Sequence, residues 1–142
     1  MESNIHLRWA TAKDALDLVK LNNEFNGVGI TEEEVIENLS YSNELVALAL
    51  MNNVPVGFAC AQFYKSICYP NPHAEITEMF IKEDVRRKGI ATSLLAFIEA
   101  ELKLRGVSSV KLLTGKKNEA AIQTYERSSY IKQKEQVLQK KL

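Results

Sequence analysis

From His73 to Leu113 the chain passes from an alternating, strand-like run through a basic turn into a long helical pattern, and out into a second strand-like run. The helical part carries Ile90, Leu94, Leu95, Ile98 and Leu102 on one face and stops at Gly106, a residue suited to a helix C-terminus. Two strands, His73 to Ile81 and Val107 to Leu113, joined by so long a crossover are expected to lie parallel. The apolar stripe of the helix then packs on the sheet that both strands share.

The flanking segments predict antiparallel strands and further helices. Ile5 to Trp9 alternates as a short strand, and Thr11 with Asp14 offers a capping pair for a helix through about Phe25. The region Asn22 to Gly29 breaks that helix, and Thr31 with Glu34 repeats the capping pattern for a second one through about Leu39. Leu45 to Leu50 and Val54 to Tyr64 flank a Met51-Asn52-Asn53 turn, a hairpin signal. Asn118 to Arg127 reads as a short helix, and extended segments around Tyr130-Ile131 and from Val137 to Leu142 follow it. The expected order is β-α-α-β-β-β-α-β-α-β-β, a single α/β (α+β) domain over residues 1–142 with a mixed central sheet and helices on both faces.

Charge narrows the classes of partner. Lysine plus arginine equals aspartate plus glutamate at 18 each, so the net field favours neither nucleic acid nor an anionic membrane, and any binding charge is local. The N-terminal Met1-Glu2-Ser3-Asn4 carries no basic segment followed by an apolar stretch, which predicts a cytoplasmic protein. Cys60 and Cys68 read as reduced thiols, Cys60 filling core, and with His6 and His73 they show no metal-ligand spacing, so no metal is expected.

The turn Arg86-Arg87-Lys88-Gly89-Ile90-Ala91 opens directly into the long helix. A glycine turn at a helix N-terminus converges backbone N–H groups on an anion, and three cations flank this one; a solvated basic turn explains the same residues. A nucleotide hydrolase is excluded, because no Gly-Lys-Ser/Thr follows the turn. Downstream, Asn118 is a helix N-cap and Tyr125 an aromatic on that helix's inner face.

Arg86 to Ala91 resembles the Arg/Gln-x-x-Gly-x-Gly/Ala signature of the GCN5-related N-acetyltransferases, and Asn118 to Arg127 resembles that family's Asn-x-x-Ala-x-x-x-Tyr-Glu-Lys/Arg motif at the expected distance. The resemblance implies an acetyl-CoA-dependent N-acetyltransferase acting on a primary amine of a small molecule (polyamine, aminoglycoside or amino-acid type) or a protein N-terminus. By that resemblance, Arg86, Arg87, Lys88, Gly89, Ile90, Ala91 and Thr92 hold the pyrophosphate of acetyl-coenzyme A. The strand end Met79-Phe80-Ile81 supplies backbone groups to the pantetheine and to the acetyl carbonyl, with the oxyanion-type contact at Phe80 or Ile81, and Asn118 touches the cofactor arm. Tyr125 protonates the departing thiolate, a task suited to a phenol that stays protonated at neutral pH. A homodimer, common in the family, is left open, and a coenzyme A sensor without chemistry is the competing reading.

Acyl transfer to an amine also needs a proton acceptor, since an amine of pKa near 10.4 is mostly protonated at pH 7, which withholds roughly 4 to 5 kcal/mol. Strict alternation puts His73, Glu75, Thr77 and Met79 on one face of their strand and Ile76, Glu78 and Phe80 on the other, so Glu75 and Glu78 are expected on opposite faces. Family alignment through Ile81 and Arg86 places the general base at Glu75; a strand-end carboxylate facing water is the alternative. Ser129 stands where the family's helix exit usually has glycine, and a left-handed serine costs roughly 1 kcal/mol or more. The acids Glu32, Glu33, Glu34 and Glu37 suit either a helix N-terminus or a cationic acceptor.

Overall fold

The computed structural model describes residues 4–41 and 43–142; the leader reading at Met1 to Ser3 lies outside them. The first half comprises strand β1 (Ile5–Trp9), a 3-10 turn (Ala12–Asp14), helix α1 (Ala15–Asn26), helix α2 (Glu32–Leu39), β2 (Glu44–Met51) and β3 (Val54–Tyr64). The second half follows as β4 (His73–Ile81), a 3-10 turn (Glu83–Val85), α3 (Ile90–Leu104), β5 (Ser109–Leu112) and α4 (Glu119–Arg127).

Local chemistry sets the boundaries. Asp14 accepts the Thr11 N–H at 2.8 Å, and the same buried carboxylate accepts from both Arg8 nitrogens at 2.7 and 2.8 Å, tying β1 to the entry of α1. Thr31 Oγ1 accepts the Glu34 N–H at 3.2 Å, and Glu32, Glu33 and Glu34 occupy the first turn of α2, where a helix N-terminus favours acids. In the β2–β3 hairpin Asn52 and Asn53 both have positive φ, 52° and 68°, the pair of left-handed residues a tight two-residue turn needs.

The strands lie in the order β1-β2-β3-β4-β5, the first four antiparallel and β5 parallel to β4, as the crossover required. Ile90, Leu94, Leu95, Ile98 and Leu102 of α3 are all buried against Ala47, Ala49, Ala59, Ala61 and Ala74, a floor of small residues that lets the helix approach the sheet closely. On the opposite face α1 places Leu18 and Leu21 on Leu48, Leu50, Phe58 and Phe80. Each such fully buried Leu or Ile contributes roughly 1.5–3 kcal/mol. Gly57 of β3 is required by contact, because a Cβ there would fall 2.7 Å from the Phe80 carbonyl oxygen.

Two expectations are corrected. The segments at Tyr130-Ile131 and Val137 to Leu142 are not strands. Tyr130 is held instead to the helices: its N–H donates to the Tyr125 carbonyl at 3.0 Å and its hydroxyl to Glu99 at 2.6 Å. Lys132 to Gln136 are then all polar, and Val137 and Leu138 are adjacent where a half-buried strand needs alternation, so both stay exposed.

The second correction concerns β4. Cys60 pairs with Glu78 but Ala61 pairs with Ile76, which leaves Thr77 as an extra residue, a β-bulge. Alternation restarts out of phase beyond it. Ala74, Ile76, Met79 and Ile81 face α3, whereas Glu78 and Phe80 fall on the α1 side together with Glu75. Glu75 and Glu78 therefore share a face.

Candidate active site

Pairing between β4 and β5 ends at Ile76 and Leu112, while β4 runs on for five more residues to Ile81. The two strands diverge past the bulge and open a groove of about 1190 Å³ between β4, the head of α3 and α4. Lys82 donates its N–H to Val56 on β3 at 2.8 Å, and antiparallel alternation then turns the Phe80 backbone toward β3 as well. The main-chain groups of Met79 and Ile81 point to the other edge, which β5 has left, and of these the Ile81 carbonyl is taken by Arg86, so the unpaired groups are those of Met79 and the Ile81 N–H. Phe80 thus contributes its side chain to the α1 face, and the edge polar groups belong to its two neighbours.

At the mouth of α3, Arg87 and Gly89 both adopt left-handed backbone, φ 66° and 79°. Ser93 is the first residue of this stretch whose N–H finds a backbone acceptor, Gly89 at 3.0 Å; the N–H groups of Arg87 to Thr92 make no hydrogen bond to an acceptor among the described residues. A turn of free N–H groups capping a helix fits a phosphate-bearing ligand. Around Gly89 a Cβ would meet nothing within 4 Å, so open space lies above the turn. Arg86 is partly committed to structure, its Nε donating to the Ile81 carbonyl at 2.8 Å and its guanidinium lying 5.9 Å from the Phe80 ring centroid.

Of the residues expected to hold the cofactor, Phe80, Ile81, Arg86, Arg87, Gly89, Ile90, Ala91, Thr92 and Asn118 all line this groove, and Lys88 does not. Asn118 caps α4, its Oδ1 accepting the Ala121 N–H at 3.2 Å. Tyr125 lines the same groove, half-buried, and burial pushes its phenol above the ordinary value, so the group stays protonated at neutral pH. Its ring packs edge-on against Tyr130 at 6.3 Å.

Across the sheet on the α1 side, residues align in columns: Glu44–Gln62–Glu75, Val46–Cys60–Glu78 and Leu48–Phe58–Phe80. Glu78 lines the groove and Glu75 does not. Burial, then the charges of Glu44 and Glu75, raise the Glu78 carboxyl above the usual carboxylate range. Glu44 is raised too, by burial, against an opposing bond from Gln62. Cys60 is a free thiol pushed strongly upward by burial and by Glu44 and Glu78, which leaves it protonated and a poor nucleophile.

A loop of free N–H groups heading the crossover helix, beside a splayed β4 edge and a half-buried tyrosine, is the arrangement that the family comparison decides. The model of the acetyltransferase (GNAT) family matches residues 15–130. The chain belongs to that family. The resemblance read from Arg86 to Ala91 and from Asn118 to Arg127 is borne out, and so is the mixed-sheet fold with helices on both faces. An uncharacterized N-acetyltransferase of Methanocaldococcus jannaschii is 38% identical over 81 residues, which cover 56% of this chain and 36% of that protein. The chain therefore spans about a third of that relative's length.

Solved acetyltransferases share the whole GNAT fold. The aminoglycoside N-acetyltransferase AAC(6')-Iy, in complex with CoA, superposes with a TM-score of 0.84 at 16% identity over 99% of this chain and 97% of its own. A soil metagenomic aminoglycoside acetyltransferase in complex with sisomicin gives 0.81 at 20% identity, over 97% and 95%. A ribosomal-protein-alanine N-acetyltransferase from Brucella melitensis gives 0.82 at 15%, over 96% and 99%. Among the described residues no helix is long and apolar enough to cross a membrane.

Glu24, Phe25 and Glu78 are among the residues of the GNAT groove that the sequence does not assign to it. Glu24 and Phe25 enter it from the end of α1, where Glu24 pairs with Lys82 at 3.4 Å and Phe25 packs 5.6 Å from Phe80. Glu78 was assigned to the wrong face, since a bulge leaves no mark in a periodicity count.

Proposed function

We propose that this protein transfers an acetyl group from acetyl-coenzyme A directly to a primary amine of a small cationic molecule, in the cytoplasm. The observation that carries the reading is the helix-capping turn of free N–H groups opening into the same groove that Tyr125 lines. In this reading the turn binds the pyrophosphate, the edge polar groups of Met79 and the Ile81 N–H bind the pantetheine arm and the acetyl carbonyl, and Asn118 contacts the arm from the opposite wall. The amine nitrogen forms a C–N bond as the C–S bond breaks, the thiolate takes the Tyr125 proton, and the second proton that the nitrogen sheds on becoming an amide passes through water to restore the Tyr125 phenol. A carboxylate on the α1 face of β4 takes the proton that the ammonium must lose.

A cationic acceptor is supported by the carboxylates of Glu44, Glu75 and Glu78, which share that face. The aminoglycoside acceptors named for two of the neighbours agree with a multiply charged amine. The test is thiol release from acetyl-coenzyme A over a panel of spermidine, aminoglycosides, amino acids and peptides, with Tyr125→Phe beside the wild type. Loss of the general acid is expected to lower turnover about a hundredfold with coenzyme A affinity kept. A loss below about tenfold removes Tyr125 from that role. Binding of acetyl-coenzyme A with no thiol release from any amine would overturn catalysis in favour of a sensor.

A further inference from the structure

The proton acceptor can be chosen from the geometry of the bulge. Before Thr77, β4 is still covered on its outer edge, where Glu75 lies opposite Lys111 of β5. After Thr77 the edge is free, and the first residue there is Glu78. Of the two β4 glutamates only Glu78 borders the space shared with Met79, Ile81 and Tyr125. We propose that Glu78 takes the proton from the acceptor ammonium, and that Glu44 and Glu75 are positioning residues acting through it. This assignment rests on the transferase reading above, and it departs from family alignment, which points to Glu75.

The groups around Glu78 suit the task. On β2 and β4 the flanking charges are Glu44 and Glu75, both negative, and on β3 the directly opposed residue is the protonated thiol of Cys60. From α1 comes Glu24, already paired with Lys82, while Tyr125 and Arg127 of α4 stand across the groove. Glu78 is exposed at the rim of the groove, yet desolvation by the groove wall, and then the two like charges, disfavour its ionised form, so it binds a proton more readily than a solvated glutamate. In the step itself the N–H bond of the ammonium breaks, the proton passes to a Glu78 oxygen directly or through one water, and the freed lone pair attacks the thioester carbonyl.

The test uses the full chain with Glu78→Gln, Glu75→Gln and Glu44→Gln, and two readouts. In thiol-release assays with acetyl-coenzyme A and spermidine or an aminoglycoside, Glu78→Gln is expected to lower kcat about a hundredfold at pH 7. That deficit should shrink by roughly tenfold per pH unit as free amine becomes available. Glu75→Gln and Glu44→Gln are expected to lose less than about tenfold and to shift the acidic limb of the rate profile to lower pH, because each removes a charge that holds the Glu78 proton. Coenzyme A affinity stays within about twofold in all three, and the isosteric Glu78→Gln keeps the melting temperature.

The second readout is carboxyl NMR of glutamate-labelled protein, which needs no turnover. Glu78 should titrate above the ordinary carboxylate range and move down in Glu75→Gln and Glu44→Gln. A larger kcat loss in Glu75→Gln than in Glu78→Gln overturns the proposal, and so does a Glu78 carboxyl that titrates at its ordinary value. Failure of every amine to release thiol would instead sink the transferase reading, while the titration still judges the environment of Glu78.

Discussion

Gly89→Ala tests the turn at the head of α3. Gly89 holds φ 79° and ψ 10°, a left-handed conformation that costs a residue with a Cβ roughly 1–2 kcal/mol. The added Cβ would meet no protein atom within 4 Å, so the penalty is backbone strain alone and the core is untouched. In the free protein an exposed turn can relax out of that strain, and the cost is then restored when the ligand demands the original geometry.

At 1.4 kcal/mol per decade, 1–2 kcal/mol becomes a fall in coenzyme A affinity of about 5- to 30-fold. Calorimetric titration of wild type and variant with coenzyme A measures it. Pantetheine, which lacks the pyrophosphate, is the control ligand and should bind both proteins equally. If the turn cannot relax, the strain appears instead as a lower melting temperature with affinity kept. Unchanged affinity together with an unchanged melting temperature, or an equal loss for pantetheine, would refute the assignment of this turn to the pyrophosphate.

Two further expectations concern stability. Ser129, exposed at the exit of α4, has φ 71°, and its N–H still donates to the Glu126 carbonyl at 3.0 Å, so the helix end keeps its closing bonds at the expense of a strained serine. Ser129→Gly relieves that strain and gives back part of it as unfolded-chain entropy; a net gain of about 0.5–1 kcal/mol should raise the melting temperature by roughly 2–4 °C, and scanning calorimetry showing a decrease would contradict the account. The Asp14 carboxyl is held below its usual range, first by the two bonds from Arg8 and then by the Thr11 N–H, against the opposing effect of burial. Its contribution to stability is present above the unfolded value near pH 4 and is lost as pH falls through the lower folded value. Asp14→Asn should cost roughly 2–3 kcal/mol at pH 7 and flatten the decline of the melting temperature between about pH 5 and 2.

Where the chain's local rules agree with one another, sequence and structure coincide. The capping pairs at Thr11 and Thr31, the paired asparagines of the hairpin and the stripe from Ile90 to Leu102 each specify one geometry through short-range chemistry, and each forms it. The turn from Arg86 to Thr92 was legible for the same reason: glycine next to a helix start has few uses. The C-terminal segments failed because a strand needs a neighbour as well as a propensity, and the bond from Tyr130 to Glu99 directs the chain onto α3 before the polar run begins. The face of Glu78 was illegible for a different reason. One unpaired residue inverts every later side chain, and Thr77 is a strand former like its neighbours, with no glycine or proline to mark the irregularity.

The bulge also explains why the opening of the sheet and the placement of its carboxylate occur at one point. A regular β4 would keep its hydrogen-bonding edge in register with β5 beyond Ile76, and its alternation would carry Glu78 and Phe80 toward α3, into a floor of alanines with no room for either. Inserting Thr77 bends the strand and reverses its phase together. Phe80 then completes the α1 core with Leu48 and Phe58, Met79 turns its polar groups and Ile81 its N–H into the groove, and Glu78 becomes the first side chain beside that free edge. The apolar gain of seating Phe80 and Ile81 on their proper faces stabilises the irregular strand, so an acidic side chain can be held at the exposed rim of the groove beside two others. On this account the proton acceptor is the residue that the fold can keep protonation-prone, and the bulge that unpairs the edge is the same one that puts it there.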